Sequence, residues 1–506
     1  MKTPSGSETL PSWLRPSALA LFVGVLIVFR LWTASNAHLV EDEAYYRIWG
    51  LYPAFGYYDH PPMIAWWIWA GQQIAGDTAL GVRLVGVLSA AVGSLVLWRT
   101  AAILFGRHVA GLAVLFFNAS ILIGVGGIIA TPDTPSVFFW GLTLWALAEL
   151  HVSGRADWWL AVGVFAGLGL VSKYSVLFLG AGIVLWLLWV PEARRWFASW
   201  QLWAGGGLAL LCFAPVLVWN HGHEWASFYK QFGRAGRGDW TTKYVFEFLG
   251  ALVGLLNPLV AVLAGFGVAR LSRRTLARDG AASLIVLTLV PFLAYMLFHS
   301  LHARVQANWP APLFPALALT AAVFAAAPGR RERLWQLWSA AAVGLGVLVA
   351  VVVQVHAVDP LTGRFARKDP TFQLRGWPQV TAGIRALADS RGAAYLATTG
   401  YGLTSQLSFA FAQELPVVQL NERIRYVMMP PVAAGLFDRP GLYVAEARRD
   451  NSARLAEVFD HVERVATLAR TVNGVFLEDL VVYEIARPNR DPLRSVFEDP
   501  GNGGLD

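Results

Sequence analysis

The chain has 506 residues, of which 56% are hydrophobic and 14% charged, with a formal net charge of +7 and a mean hydropathy of +0.49. Soluble globular domains carry about a quarter charged residues, so this composition excludes one and makes membrane lipid the first partner. The Lys and Arg residues sit in short loops between apolar stretches rather than along a solvated face, which excludes a nucleic-acid partner.

The N-terminus is polar, with Lys2 and Arg15, and runs into an apolar stretch from Ala18 to Ala34. About 20 apolar residues cross a bilayer. No small-residue cleavage site follows, so the sequence predicts an uncleaved first transmembrane helix rather than a secretory signal. Apolar segments then recur at 80–104, 109–129, 135–151, 157–172, 174–190, 201–219, 245–269, 281–299, 309–328 and 334–356, about eleven spans with the first at 18–35. A shorter run, 61–75, carries Trp66, Trp67 and Trp69 and reads as a helix lying in the interface. Cys212, the single cysteine, lies inside an apolar run, so no intrachain disulfide forms.

With a cytoplasmic N-terminus, the inner loops carry Lys2, Arg15, Arg99, Arg107, Arg155, Arg194, Arg195, the group Arg270 to Arg278, and Arg330 to Arg333. The outer loops are poorer in basic residues over a longer stretch of chain, which fixes the orientation. An odd number of spans then places the C-terminal tail outside the cytoplasm. From residue 356 the charges, Gly and Pro return. Short strand-like runs follow at 394–397, 441–444, 474–477 and 480–483, with helical patterns at 380–389 and 451–462. The sequence thus predicts a membrane domain over 1–355, with a first outer loop at 36–79. It also predicts a small extracytoplasmic α/β domain over 356–506 whose last dozen residues are disordered.

Four polar knots fall on the outer side. Glu41-Asp42-Glu43 sets three carboxylates at a membrane helix end. Mutual repulsion and nearness to lipid raise at least one pKa and suit general-base work on a hydroxyl; the competing reading is a helix start favouring acids. Tyr57-Tyr58-Asp59-His60-Pro61-Pro62 holds Asp59 and His60 at a defined depth, or simply begins a helix. Thr131-Pro132-Asp133 breaks two spans, with Asp133 capping a helix or facing the first loop. Lys173 follows Ser172 at the outer end of a span, where it snorkels or pairs with an anion.

Taken in order, Asp42-Glu43, Tyr58-Asp59-His60-Pro61-Pro62, Gly81-Val82-Arg83, Thr131-Pro132-Asp133 and Ser172-Lys173 resemble the GT-C superfamily. The resemblance is to its protein O-mannosyltransferase-like group, which includes the aminoarabinose and galacturonic acid transferases of lipid A, and it covers about 30–315. It implies an α-helical polytopic membrane glycosyltransferase of GT-C type. The donor would be a polyprenyl-phosphate-linked sugar, and the acceptor an envelope glycolipid, other glycan, lipid or protein outside the cytoplasmic membrane. Asp42, with Glu43 and Asp133, would be catalytic. Asp59, His60, Arg83, Lys173, Arg234 and Arg304 would bind substrate, the cations at the lipid phosphate. His60 stands where the aminoarabinose transferases carry lysine, and histidine is not reliably charged at neutral pH. A zinc-associated histidine of those relatives directs attention to His221, His223 and Glu224, but three ligands cannot be assembled from the sequence, and no cofactor is required. A transporter or flippase of polyprenyl-linked glycans is the alternative. It would place its polar residues at mid-membrane and often show inverted repeats, and neither pattern is visible.

Overall fold

The computed structural model describes residues 10–233, 240–329, 331–412 and 414–494. The terminal dozen residues, expected to be disordered, lie outside that set. The membrane part runs α1 (Pro16–Asn36), α2 (Glu41–Leu51), α3 (Met63–Ala75), α4 (Ala79–Phe105), α5 (Arg107–Ala119), α6 (Ile121–Gly126), α7 (Asp133–Ser153) and α8 (Trp158–Ser172). It continues with α9 (Leu177–Trp189), α10 (Trp200–Gly222), α11 (Ala226–Phe232), α12 (Lys243–Leu255), α13 (Pro258–Leu276), α14 (Gly280–His299), α15 (Phe314–Ala325) and α16 (Glu332–Val358).

Each of the expected apolar segments is helical, but they are not eleven equal spans. Among the described residues six helices are long and apolar enough to cross a membrane: α1, α4, α7, α10, α14 and α16. Two bent pairs bring the number to eight if each is one span. The segment 109–129 divides at Ser120, whose backbone is extended and whose hydroxyl donates to the Phe117 carbonyl at 2.7 Å. The segment 245–269 bends by 105° between α12 and α13. Asn257-Pro258 explains that break, because the proline has no N–H to offer the preceding turn. Asn257 adopts a φ of 76° and accepts the Leu259 N–H at 3.1 Å, while its amide donates to the carbonyls of Ala119 at 3.2 Å and Ala342 at 2.8 Å. The break is therefore locked to neighbouring helices.

Beyond α16 the chain forms α17 (Trp377–Arg391), β1 (Leu396–Thr398), α18 (Tyr401–Ala410), β2 (Val417–Gln419), β3 (Gly441–Glu446), α19 (Ser452–Leu455), β4 (Phe459–Val472) and β5 (Val475–Pro488). The strands make one sheet in the order β2-β1-β3-β5-β4, parallel around β1 and antiparallel from β3 onward. Alternation along β3 and β5 sends Leu442, Val444, Leu480 and Val482 to a face covered by Trp377, Ile384, Leu403 and Leu407 of α17 and α18. Tyr443, Ala445, Val481 and Tyr483 face the opposite way, with Tyr395 and Phe459. One expectation is corrected here. The helical pattern at 451–462 yields only the four-residue α19, because Phe459 and Val462 are taken into β4 opposite Pro488 and Ile485 of β5. Pairing with a long neighbouring strand outweighs the local periodicity.

Candidate active site

α2 opens the site. Glu43 reaches back to accept the Val40 N–H at 3.1 Å, so an acid in the first turn satisfies a donor at the helix start. Successive helical positions point about 100° apart. Glu41, Asp42 and Glu43 therefore meet three different surroundings.

Glu43 is fully buried and clasped by Arg83 of α4, with Nε to Oε1 at 2.8 Å and Nη2 to Oε2 at 2.6 Å. The Ala130 N–H adds a bond to Oε1 at 2.9 Å. Arg83 gives its remaining N–H groups to the carbonyls of Ala34 at 3.2 Å, Ala37 at 2.7 Å and His38 at 2.7 Å. All five guanidinium donors are thus satisfied within the protein. The expectation put Glu43 at the reaction centre and Arg83 on a lipid phosphate; in the structure the pair ties the end of α1, α2, α4 and the approach to α7 together, with every Arg83 donor engaged within the protein.

Asp42 is turned the other way, open to a cavity yet enclosed by surrounding protein. That enclosure pushes its carboxyl above the usual carboxylate range, and the charges of Asp59 and Glu43 add to the effect. The Tyr401 hydroxyl, donating to Oδ1 at 3.1 Å, and the Arg425 charge act in the opposite sense. Beside it, burial and then the charge of Glu446 push Glu41 up to about 7.

The cavity holds about 570 Å³. Asp42, Thr131, Asp133 and Asn308 form its polar end. From there it runs between α4, α5, α6, α7 and α15 along Gly86, Gly93, Phe117, Ile123, Gly141 and Leu319. At Gly93 and Gly141 a Cβ would meet nothing within 4 Å, so these positions keep the apolar wall recessed. Asp133 opens α7 and faces the same space as Asp42, one of the two arrangements the sequence allowed. Its carboxylate accepts from Lys173 Nζ at 2.5 Å and from the Asn308 amide at 2.6 Å. Lys173 thus has a carboxylate partner across 40 positions of chain.

Asp59 lies in an adjoining cluster. It accepts from the Tyr45 hydroxyl at 2.8 Å and from Arg425 Nη1 at 2.5 Å, and its carbonyl accepts from the Gln231 amide. Arg425 also reaches Glu422 at 3.1 Å and lies over the rings of Tyr58 at 5.5 Å and Tyr401 at 5.0 Å. Burial works against its charge, but Asp59 and Tyr45 hold the guanidinium above its ordinary pKa. The His60 ring stands edge-on to Tyr46 at 6.2 Å. Arg304 is exposed, paired with Glu247 at 2.9 Å, and does not line the cavity. Arg234 lies outside the described residues. The His223 ring stacks on Trp219 at 4.0 Å and shares a bond with its carbonyl at 2.7 Å. Among the described residues no three His, Cys, Asp or Glu side chains are grouped to hold a metal ion.

Tyr401 and Arg425 are the residues that sequence reasoning missed. They come from the tail, and α18 and its surroundings pack on α2, where the Gln406 amide donates to the Leu39 carbonyl at 2.9 Å and Tyr426 joins Tyr45 and Trp49 in one buried cluster. No local pattern around either residue marks it.

Residues 59–219 match the family model described as dolichyl-phosphate-mannose-protein mannosyltransferase. The chain is 27% identical over 296 residues to the lipid A galacturonosyltransferase RgtD of Rhizobium johnstonii, covering 56% of this chain and 62% of the relative. It is 27% identical over 226 residues to the undecaprenyl phosphate-alpha-4-amino-4-deoxy-L-arabinose arabinosyl transferase 2 of Pseudomonas fluorescens, covering 41% and 38%. The match thus spans less than two thirds of the length of these curated relatives. In fold the chain is similar to ArnT from Cupriavidus metallidurans bound to undecaprenyl phosphate, with a TM-score of 0.64 at 16% identity over 93% of this chain and 98% of that one. The ordered loop motifs, the family-model match over residues 59–219 and the shared fold together make this membrane protein similar to the glycosyltransferases of the GT-C superfamily.

Proposed function

We propose that the chain is a membrane glycosyltransferase that moves a sugar from a polyprenyl-phosphate donor to an acceptor hydroxyl outside the cytoplasm. The single observation carrying this reading is the cavity that joins Asp42 and Asp133 at one polar end to a glycine-recessed apolar run between helices. An apolar channel suits an isoprenoid chain, and the polar end suits the sugar and its phosphate. The activities named for the relatives, lipid A galacturonosyl transfer and undecaprenyl-phosphate-linked aminoarabinose transfer, favour an envelope glycolipid as acceptor and an undecaprenyl-type lipid as carrier.

The chemistry is a direct displacement. The acceptor oxygen attacks the anomeric carbon, a new glycosidic bond forms, and the bond from that carbon to the phosphate oxygen breaks, releasing polyprenyl phosphate. Asp42 takes the acceptor's proton, a role its raised pKa suits. Lys173 and Asn308 fix Asp133 at the other wall of the polar end. Arg83 and Glu43 act one step removed, by fixing the start of α2 and hence the direction of Asp42. The basic bias of the alternate loops supports a cytoplasmic N-terminus, with the first loop and the tail on the outer side of a bacterial inner membrane.

Mass spectrometry of envelope lipids from cells with and without the gene tests the reading. One sugar-bearing glycolipid should vanish on deletion and return with the wild-type gene but not with Asp42→Asn. An unchanged envelope, together with no turnover of undecaprenyl-phosphate-linked sugars by purified protein, would sink it.

A further inference from the structure

A lipid phosphate entering the cavity meets a wall that already carries Asp42, Asp133 and Asp369. Of the cations that the sequence assigned to it, three already have protein partners, Lys173 on Asp133, Arg83 on Glu43 and three carbonyls, and Arg304 on Glu247, and Arg234 lies outside the described residues. Among the described residues lining the cavity, Arg367 is the one basic side chain. It lies 5.5 Å from the centre of the Phe372 ring, which lines the same cavity, and has no ion-pair partner among the described residues.

Arg367 belongs to a strap between α16 and α17 that is anchored along its length. Asp369 accepts from the His356 ring at 2.8 Å and from the N–H and hydroxyl of Thr371, both at 2.7 Å. The Leu361 N–H donates to Nδ1 of His356 at 2.9 Å, which leaves Nε2 as the donor to Asp369. Arg375 donates to the carbonyls of Ala357, at 3.0 Å, and His356. Arg470 of β4, held by Glu478 at 2.9 Å, donates to the Arg375 carbonyl at 2.6 Å. Gln373 accepts the Glu41 N–H at 3.4 Å, one residue from Asp42. Asp369 is therefore held by the anchor, while Arg367 lines the cavity beside the Phe372 ring.

We infer that Arg367, carried on this strap, is a phosphate-binding residue of the cavity. The assignment rests on the transferase reading above. A guanidinium fork pairs two phosphate oxygens, and the phosphate is that of the polyprenyl donor or one on a phosphorylated glycolipid acceptor, which present the same chemistry.

The test is lipid binding to purified protein in phosphatidylcholine nanodiscs, with three probes: undecaprenyl phosphate, undecaprenol and bisphosphorylated lipid A. Wild type, Arg367→Ala, Arg367→Lys and Arg364→Ala are compared, the last removing an exposed arginine of the strap that does not line the cavity. Arg367→Ala should weaken one phosphate lipid by about tenfold or more, the loss of a charge-assisted hydrogen bond, with undecaprenol unchanged. Arg367→Lys should recover part of it, and Arg364→Ala should match wild type. Loss for undecaprenyl phosphate assigns Arg367 to the donor; loss for lipid A alone assigns it to the acceptor. Wild-type affinity of Arg367→Ala for both phosphate lipids overturns the assignment and leaves the transferase reading standing. A wild type that binds neither phosphate lipid better than undecaprenol overturns that reading and the assignment with it.

Discussion

The phenolic hydroxyl of Tyr401 donates to Oδ1 of Asp42 at 3.1 Å across 359 positions of chain. The tail is therefore part of the polar end of the cavity, and the first loop is not a site by itself. A hydrogen bond to the ionised carboxylate favours that form, so Tyr401 opposes the enclosure that raises the Asp42 pKa.

Tyr401→Phe removes this bond, and the Asp42 pKa should rise. A base works when deprotonated, so the acid limb of the kcat/KM profile should move to higher pH, by roughly half to one unit. Activity should recover at alkaline pH, while donor binding stays unchanged. A pH profile that does not move would show that Tyr401 does not act through Asp42.

Asp42→Asn keeps the shape and the bond to Tyr401 but cannot accept a proton. Transfer should fall by at least about a hundredfold. Membrane insertion and thermal unfolding in detergent should match wild type, because the side chain faces the cavity. Turnover at the wild-type rate would move the base role to Asp133.

Arg83→Ala strands the buried Glu43 carboxylate and frees three carbonyls. Removing one partner of such a pair costs about 3–5 kcal/mol. Arg83→Lys should recover little of this, since a single ammonium cannot replace five fixed donors. The unfolding temperature of detergent-solubilised protein reads the effect; a value unchanged in Arg83→Ala would show that the clasp is not needed for the fold.

Lys173 and Asp133 form a pair that is mostly hidden from solvent, with side-chain exposures of 13% and 10%. Each single alanine variant should lose stability by leaving one charge unpaired, and the double variant should be more stable than the sum of the two losses by roughly 1–3 kcal/mol. The measurement is a double-mutant cycle on thermal unfolding. Strictly additive losses would mean that Lys173 is not committed to Asp133.

Hydropathy and local chemistry were enough to read the membrane class, the run of apolar helices, the acid-rich start of α2 and the break before Asp133. These depend on neighbours in sequence: apolar content over about 20 residues, a proline without an N–H, and carboxylates at a helix start. The same reading could not separate Asp42 from Glu43, because both sit in one acidic turn. Only the approach of Arg83, 40 positions away, buries one and leaves the other to the cavity. Nor could it see that Lys173 meets Asp133, or that Asp59 meets Arg425 across 366 positions. An ion pair of that separation leaves no periodicity in the chain. It is decided by how α2, α4, α7 and the tail pack, and that packing determines which charges are spent on the scaffold and which face a ligand.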